Sequence, residues 1–119
     1  MDRAYHSHTF TIPNTGTAPT TDLDGSASDG AMFVGDRAFG SVLFPAAMTG
    51  TKLLVQHKYA ADGTWVAATN PVDGVQYEVL KQLSKSCRIP DAAFGAPYMR
   101  LVSDAAEGAD RSFTVHLQA

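Results

Sequence analysis

Glutamate is nearly missing from this chain: there are two, Glu78 and Glu107, against ten aspartates. Aspartate suits turns and caps, whereas glutamate suits helix surfaces, so the imbalance argues against a helical protein. A single cysteine, Cys87, excludes an internal disulfide framework and a cysteine-rich zinc site. No apolar run approaches the roughly 20 residues of a membrane-spanning helix, and no membrane partner is expected. The opening Met-Asp-Arg-Ala-Tyr-His lacks the apolar core of a signal peptide. There is also no block of one charge. The nine Lys and Arg residues are scattered from Arg3 to Arg111 and the net charge is −3, so no nucleic-acid partner is expected.

What remains is 119 residues of ordinary hydrophobicity, the size of one domain. A chain of that length buries roughly two-thirds of its unfolded surface, enough to fold without a disulfide or metal. Ten glycines, six prolines and eleven threonines punctuate short alternating runs. Turn formers and β-branched residues in that arrangement predict an all-β fold: a two-layer antiparallel β-sandwich, jelly-roll-like, with seven or eight strands.

Residues 1–31 divide from the rest. Over residues 5–12 the side chains of His6, His8, Phe10 and Ile12 alternate with Tyr5, Ser7, Thr9 and Thr11, a strand stopped by Pro13. Of the next 19 residues, 15 are Pro, Gly, Ser, Thr, Asn or Asp, and Leu23 is the only large apolar one. That stretch is either an extended arm or a long loop holding one short strand at residues 21–23. Residues 1–31 are therefore expected to form an arm, mobile alone and ordered on a neighbour. Tyr5, Phe10, Ile12 and Leu23 are its candidate intermolecular contacts.

The sandwich body is expected over residues 32–119. Strands are predicted at 38–44, 52–59, 65–67, 98–103 and 112–118, the last with Phe113, Val115 and Leu117 inward. Leu53, Val55, His57 and Tyr59 share one strand face; Leu54, Gln56 and Lys58 share the other. Asp62-Gly63 and Asn70-Pro71-Val72-Asp73-Gly74 are turns. Residues 75–87 fit a helical stripe through Val75, Val79, Leu80, Leu83 and Cys87, or a strand through Val75, Tyr77 and Val79. The all-β context favours a strand over 75–80. A single helical turn fits residues 90–94, opened by Pro90.

Catalytic signals are scarce. His6 and His8 share a strand side at a spacing compatible with a metal, but no further ligand is evident, and surface histidines are the simpler reading. His57 reads as a satisfied core or interface histidine, and His116 points away from its strand's apolar side. Arg88 could lower the pKa of the Cys87 thiol, but nothing places a histidine beside it. Asp22/Asp24, Asp29 and Asp104/Glu107/Asp110 offer oxygen ligands without the EF-hand spacing, and solvated loop charge is the simpler reading. No nucleophile elbow, zinc-protease, P-loop or dinucleotide fingerprint occurs. No catalytic residue, cofactor or metal site is assigned, and the chain is expected not to be an enzyme. Tyr59 and Trp65 could stack on a sugar, which leaves a glycan-binding module as an alternative.

Three linked segments carry a resemblance. Ala-Phe-Gly-Ser-Val-Leu-Phe-Pro ending at Pro45 is followed by Met48-Thr49-Gly50, Leu53-Leu54-Val55-Gln56 and Ala61-Asp62-Gly63-Thr64-Trp65. Tyr98-Met99-Arg100-Leu101-Val102-Ser103, the closing strand from Ala109-Asp110-Arg111 and the early Thr20-Thr21-Asp22-Leu23-Asp24-Gly25 complete it. This pattern resembles small structural proteins of tailed bacteriophages and prophages, from about residue 20 to the end. The sequence departs from it at His57 and Tyr59, where the family carries serine and aspartate, and lacks the glutamine before Ala109. The resemblance implies a virion protein made in the host bacterial cytoplasm, as a capsid decoration or cement protein on the shell surface. Its expected partners are the major capsid protein or copies of itself, with a neck- or tail-associated protein as an alternative. Asp62-Gly63 would then make a turn, Trp65 would cap the sandwich, and Arg100 or Arg111 would pair with an acidic loop residue.

Overall fold

The computed structural model of the chain describes residues 5–19, 31–35, 38–60 and 63–118. Among these, nine strands follow one another: β1 (Tyr5–Ile12), β2 (Met32–Phe33), β3 (Phe39–Leu43), β4 (Lys52–Lys58) and β5 (Val66–Ala67), then β6 (Glu78–Leu80), β7 (Ser86–Ile89), β8 (Tyr98–Ser103) and β9 (Arg111–Gln118). A single 3-10 turn, Asp91–Ala93, follows β7. The first sheet runs β1-β9-β3-β7; the second runs β2-β8-β4-β5, with β6 also on β4. Every pairing is antiparallel. The first and last strands are neighbours, and all connections but those from β4 to β6 pass between sheets. That is the order of a jelly roll, the sandwich form expected.

Alternation decides which side chains meet between the sheets. In β9, Phe113, Val115 and Leu117 are buried while their neighbours are not. In β4, Leu53, Val55 and His57 point inward, leaving Lys52, Leu54, Gln56 and Lys58 on the outer face. Burying each large core side chain contributes about 1.5–3 kcal/mol relative to exposure.

The expected arm is part of this core. β1 pairs with β9 along its whole length, from Tyr5 opposite Gln118 to Ile12 opposite Arg111. Phe10 is 1% exposed and stacks on Phe113 at 5.0 Å between centroids, and Ile12 is fully buried. Neither side chain is left for a neighbour: pairing within the chain buries both at once, with no partner to recruit. The body therefore begins at β1, not at residue 32. The first residues of the polar stretch are pinned too. Asn14 N donates to Asp110 Oδ1, Thr15 N to the Glu107 carbonyl and Ser103 N to the Thr17 carbonyl. Leu23 and the strand expected at 21–23 lie outside the described residues.

Residues 75–87 hold two short strands and no helix. Val79 is buried while Val75, Leu80 and Leu83 are exposed, so the helical stripe has no core to face. The strand expected over 75–80 shortens to β6, with Gln76 in an isolated bridge to Thr69. β2 and β7 are additional to the strands read from the sequence. The helical turn after Pro90 is present.

Candidate functional site

Two loop systems and one sheet face hold the chemistry-bearing side chains. At one end of the sandwich, three chain segments meet around Glu107, which is 1% exposed. Its carboxylate accepts from Thr49 N (2.7 Å), Gly50 N (2.8 Å), Ser103 Oγ (2.8 Å) and Arg111 Nε (3.1 Å). Burial pushes its pKa up, but the Thr49 and Gly50 amides, the Ser103 hydroxyl and Arg111 outweigh that and hold it below the usual carboxylate range. Asp104 binds the next turn of the same loop, accepting from the Thr51 hydroxyl and from Thr51 N (2.8 Å). The Thr51 hydroxyl is the main reason its pKa is also lowered.

Gly50 allows this approach. A Cβ there would lie 2.2 Å from Ser103 Oγ and 2.6 Å from Asp104 Oδ1. Asp104, Glu107 and Asp110, read as solvated loop charge, are instead three separate clamps on backbone N–H groups. Their oxygens do not converge, and no three His, Cys, Asp or Glu among the described residues are grouped to hold a metal ion. The expected pairing of Arg111 with an acidic loop residue is its contact with Glu107.

The outer face of the second sheet carries a cation–aromatic layer. Lys58 Nζ lies 4.8 Å from the Trp65 ring centre and 5.5 Å from that of Tyr98. Arg100 stands 4.6 Å over Trp65 and donates to Gln56 Oε1 at 2.7 Å. Lys58 is buried against these rings. Trp65 thus covers a sheet face rather than capping the sandwich. Tyr59, just past the end of β4, is exposed and makes an edge-on ring contact with His57. The groove that Tyr59 lines does not include Trp65 among its described residues.

The third region is the flank of β4 that carries β5 and β6. Between them residues 69–76 protrude as a loop held by its own polar groups. Val72 N donates to Asn70 Oδ1 (2.9 Å) and Val75 N to Asp73 Oδ1 (3.0 Å). Asn70 N reaches the Val75 carbonyl at 2.9 Å, and Gly74 takes the left-handed conformation, φ +70°. With the polar groups turned onto the backbone, the valines point out: Val72 is 91% exposed. Among the described residues, six of the eight exposed large apolar side chains fall between Tyr59 and Leu83 in sequence, the stretch that includes β5 and β6. The signal was available in the sequence: a valine set between Pro71 and Asp73 inside a turn has no core to reach.

The remaining candidates are dispersed. His57 Nε2 is hydrogen-bonded to the Ala93 carbonyl, the satisfied core histidine expected. His116 is exposed on the outer face of the first sheet, as expected. Cys87 packs against the core, while strand alternation sends Arg88 to the other face, where it binds Asp91 at 3.1 Å. Arg88 is therefore not placed to act on the thiol. Of Tyr5 only the backbone pairing is described; the His6 side chain, Asp22, Asp24 and Asp29 lie outside the described residues.

Comparison with known proteins gives one likeness of fold. The SPBc2 prophage-derived protein YomS, known from a crystal structure, superposes with a TM-score of 0.62 at 15% identity. The match covers 100% of this chain and 96% of that one. No protein-family model and no curated protein sequence matches the chain. No helix among the described residues is long and apolar enough to cross a membrane.

Proposed function

We propose that this jelly roll is a non-enzymatic structural protein of a tailed-bacteriophage particle, and within the particle a decoration or cement protein on the outside of the capsid. The observation that carries this reading is the end-to-end likeness of fold to a prophage-derived protein, with almost nothing left over in either chain. The phage-like motifs of the sequence support it independently. The principal titratable clusters are also spent on holding loops and strand ends, which suits a protein whose task is to be a stable part.

With β1 inside the fold, attachment resides on the surface of the sandwich. The β5–β6 flank supplies it: Val66, Val72, Val75 and Leu80 lie along one edge, with a prearranged loop at its middle. A loop held by its own hydrogen bonds has less conformational freedom to lose on docking, so a small apolar contact suffices when many copies act together. The partner on this reading is the major capsid protein or a second copy of the chain seated on it.

Cryo-electron microscopy of the source particle tests the placement. Density for this jelly roll is expected on the shell surface with the 69–76 loop towards its partner. Density at the neck or tail would overturn the capsid assignment, and absence from the particle would overturn the virion role altogether.

A further inference from the structure

Next to the protruding loop, where the end of β4 meets the 3-10 turn, the surface opens into a notch of about 430 Å³. It is lined by small residues, including Ala68 and Ala92, and by His57, Tyr59, Thr69 and Tyr77. Among the described residues, no Asp, Glu, Lys or Arg lines it. We propose that this notch is a binding subsite for a neutral pyranose ring.

Three features select that chemistry. The first is that the described lining residues include no Asp, Glu, Lys or Arg, so they offer no counter-ion to an anionic or cationic ligand and favour a neutral one. The second is Tyr59. The residue is 66% exposed, and its ring meets that of His57 edge-on, nearly perpendicular, with centroids 6.5 Å apart. The negative face of an aromatic ring attracts the C–H groups that one side of a pyranose presents.

The third feature is the set of polar atoms around that ring. A carbonyl oxygen can only accept, so the hydrogen bond to Ala93 fixes the proton of neutral His57 on Nε2 and leaves Nδ1 as an acceptor. The hydroxyls of Tyr59, Tyr77 and Thr69 make no hydrogen bond within the described residues. A sugar hydroxyl donates and accepts at once and can use each of these groups. A proline or aliphatic side chain would cover them without pairing them, at a cost of about 1–3 kcal/mol for each group left buried and unsatisfied. This is a different sugar site from one shared by Tyr59 and Trp65, and it holds wherever the protein sits on a particle.

Nitrogen-15-labelled full-length protein titrated with the methyl glycosides of glucose, galactose, mannose, rhamnose and N-acetylglucosamine provides the test. At least one glycoside is expected to shift the amide signals of Tyr59, Thr69, Tyr77 and Gly95, saturating at millimolar concentration. Tyr59→Ala should weaken that binding roughly tenfold, while Tyr59→Phe keeps most of it. The exposed position of Tyr59 leaves folding intact, which an unchanged melting temperature verifies. The proposal is overturned if none of the five moves these signals, or if Tyr59→Ala binds as tightly as the parent. It is equally overturned if a proline-rich peptide occupies the notch and no glycoside does.

Discussion

Two loop systems of this protein are built by the same device, a side-chain oxygen accepting from backbone N–H groups, yet they serve opposite ends. Around Glu107 the device is long-range: Thr49 and Gly50 lie 58 and 57 residues away in sequence, and the carboxylate is buried. In the 69–76 loop it is local, each oxygen reaching two residues along an exposed turn. The buried version ties three segments of the fold together, because removing it leaves the Gly50 amide without an acceptor where water has little access. The exposed version shapes a surface, because water can replace each bond but cannot reproduce the shape. Distance in sequence and access to water separate a structural clamp from a display platform here.

The comparison breaks most clearly at Glu107. Glu107→Ala should cost about 3–5 kcal/mol in urea unfolding, since Arg111, the buried Gly50 amide and the partly buried Thr49 amide lose their acceptor. A loss under about 1 kcal/mol would mean that the clamp is not what holds this end. Gly50→Ala should cost about 2 kcal/mol or more through the clash of its Cβ with Ser103 and Asp104. Acid should act on the same end. Glu107 and Asp104 both have folded-state pKa values below their unfolded ones, so they add stability above the ordinary carboxylate range. That contribution is lost as pH falls below about 4 and through the lowered folded values. Thermal melts at descending pH should show the fall, and Glu107→Gln should flatten it.

On the other side of the comparison, Asn70→Ala or Asp73→Ala should cost only about 0.5–1 kcal/mol, with exchange of the Val72 and Val75 amides accelerated before any change in the core. Smallest of all is Val72→Asp. It should leave stability within about 0.5 kcal/mol while reducing retention on purified shells, and equal retention would remove the loop from the attachment surface.

Much of the sandwich was legible from alternation alone. The inward set of β4 and β9, the turn around Asn70-Pro71 and the helical turn after Pro90 all follow from residue choice within a few positions. The small strands β2 and β7 were not legible, since two to four residues carry too little pattern to stand out from a loop. The 75–87 segment was ambiguous because a 3.6-residue stripe and a two-residue alternation share several apolar positions there, and only the neighbouring sheet selects between them.

By itself the sequence determined the fold class, the strand faces and the turns, because backbone preference and side-chain alternation are local properties. Which strand pairs with which was decided by the tertiary structure, and so was the fate of every residue whose role depends on a distant partner. Phe10 and Ile12 read as arm contacts until β9 came alongside to bury them. Glu107 read as loop charge until the Thr49–Gly50 amides arrived from more than fifty residues away. A side chain's free energy depends on what surrounds it, and in a jelly roll, where the first strand lies beside the last, those surroundings come mostly from the far end of the chain.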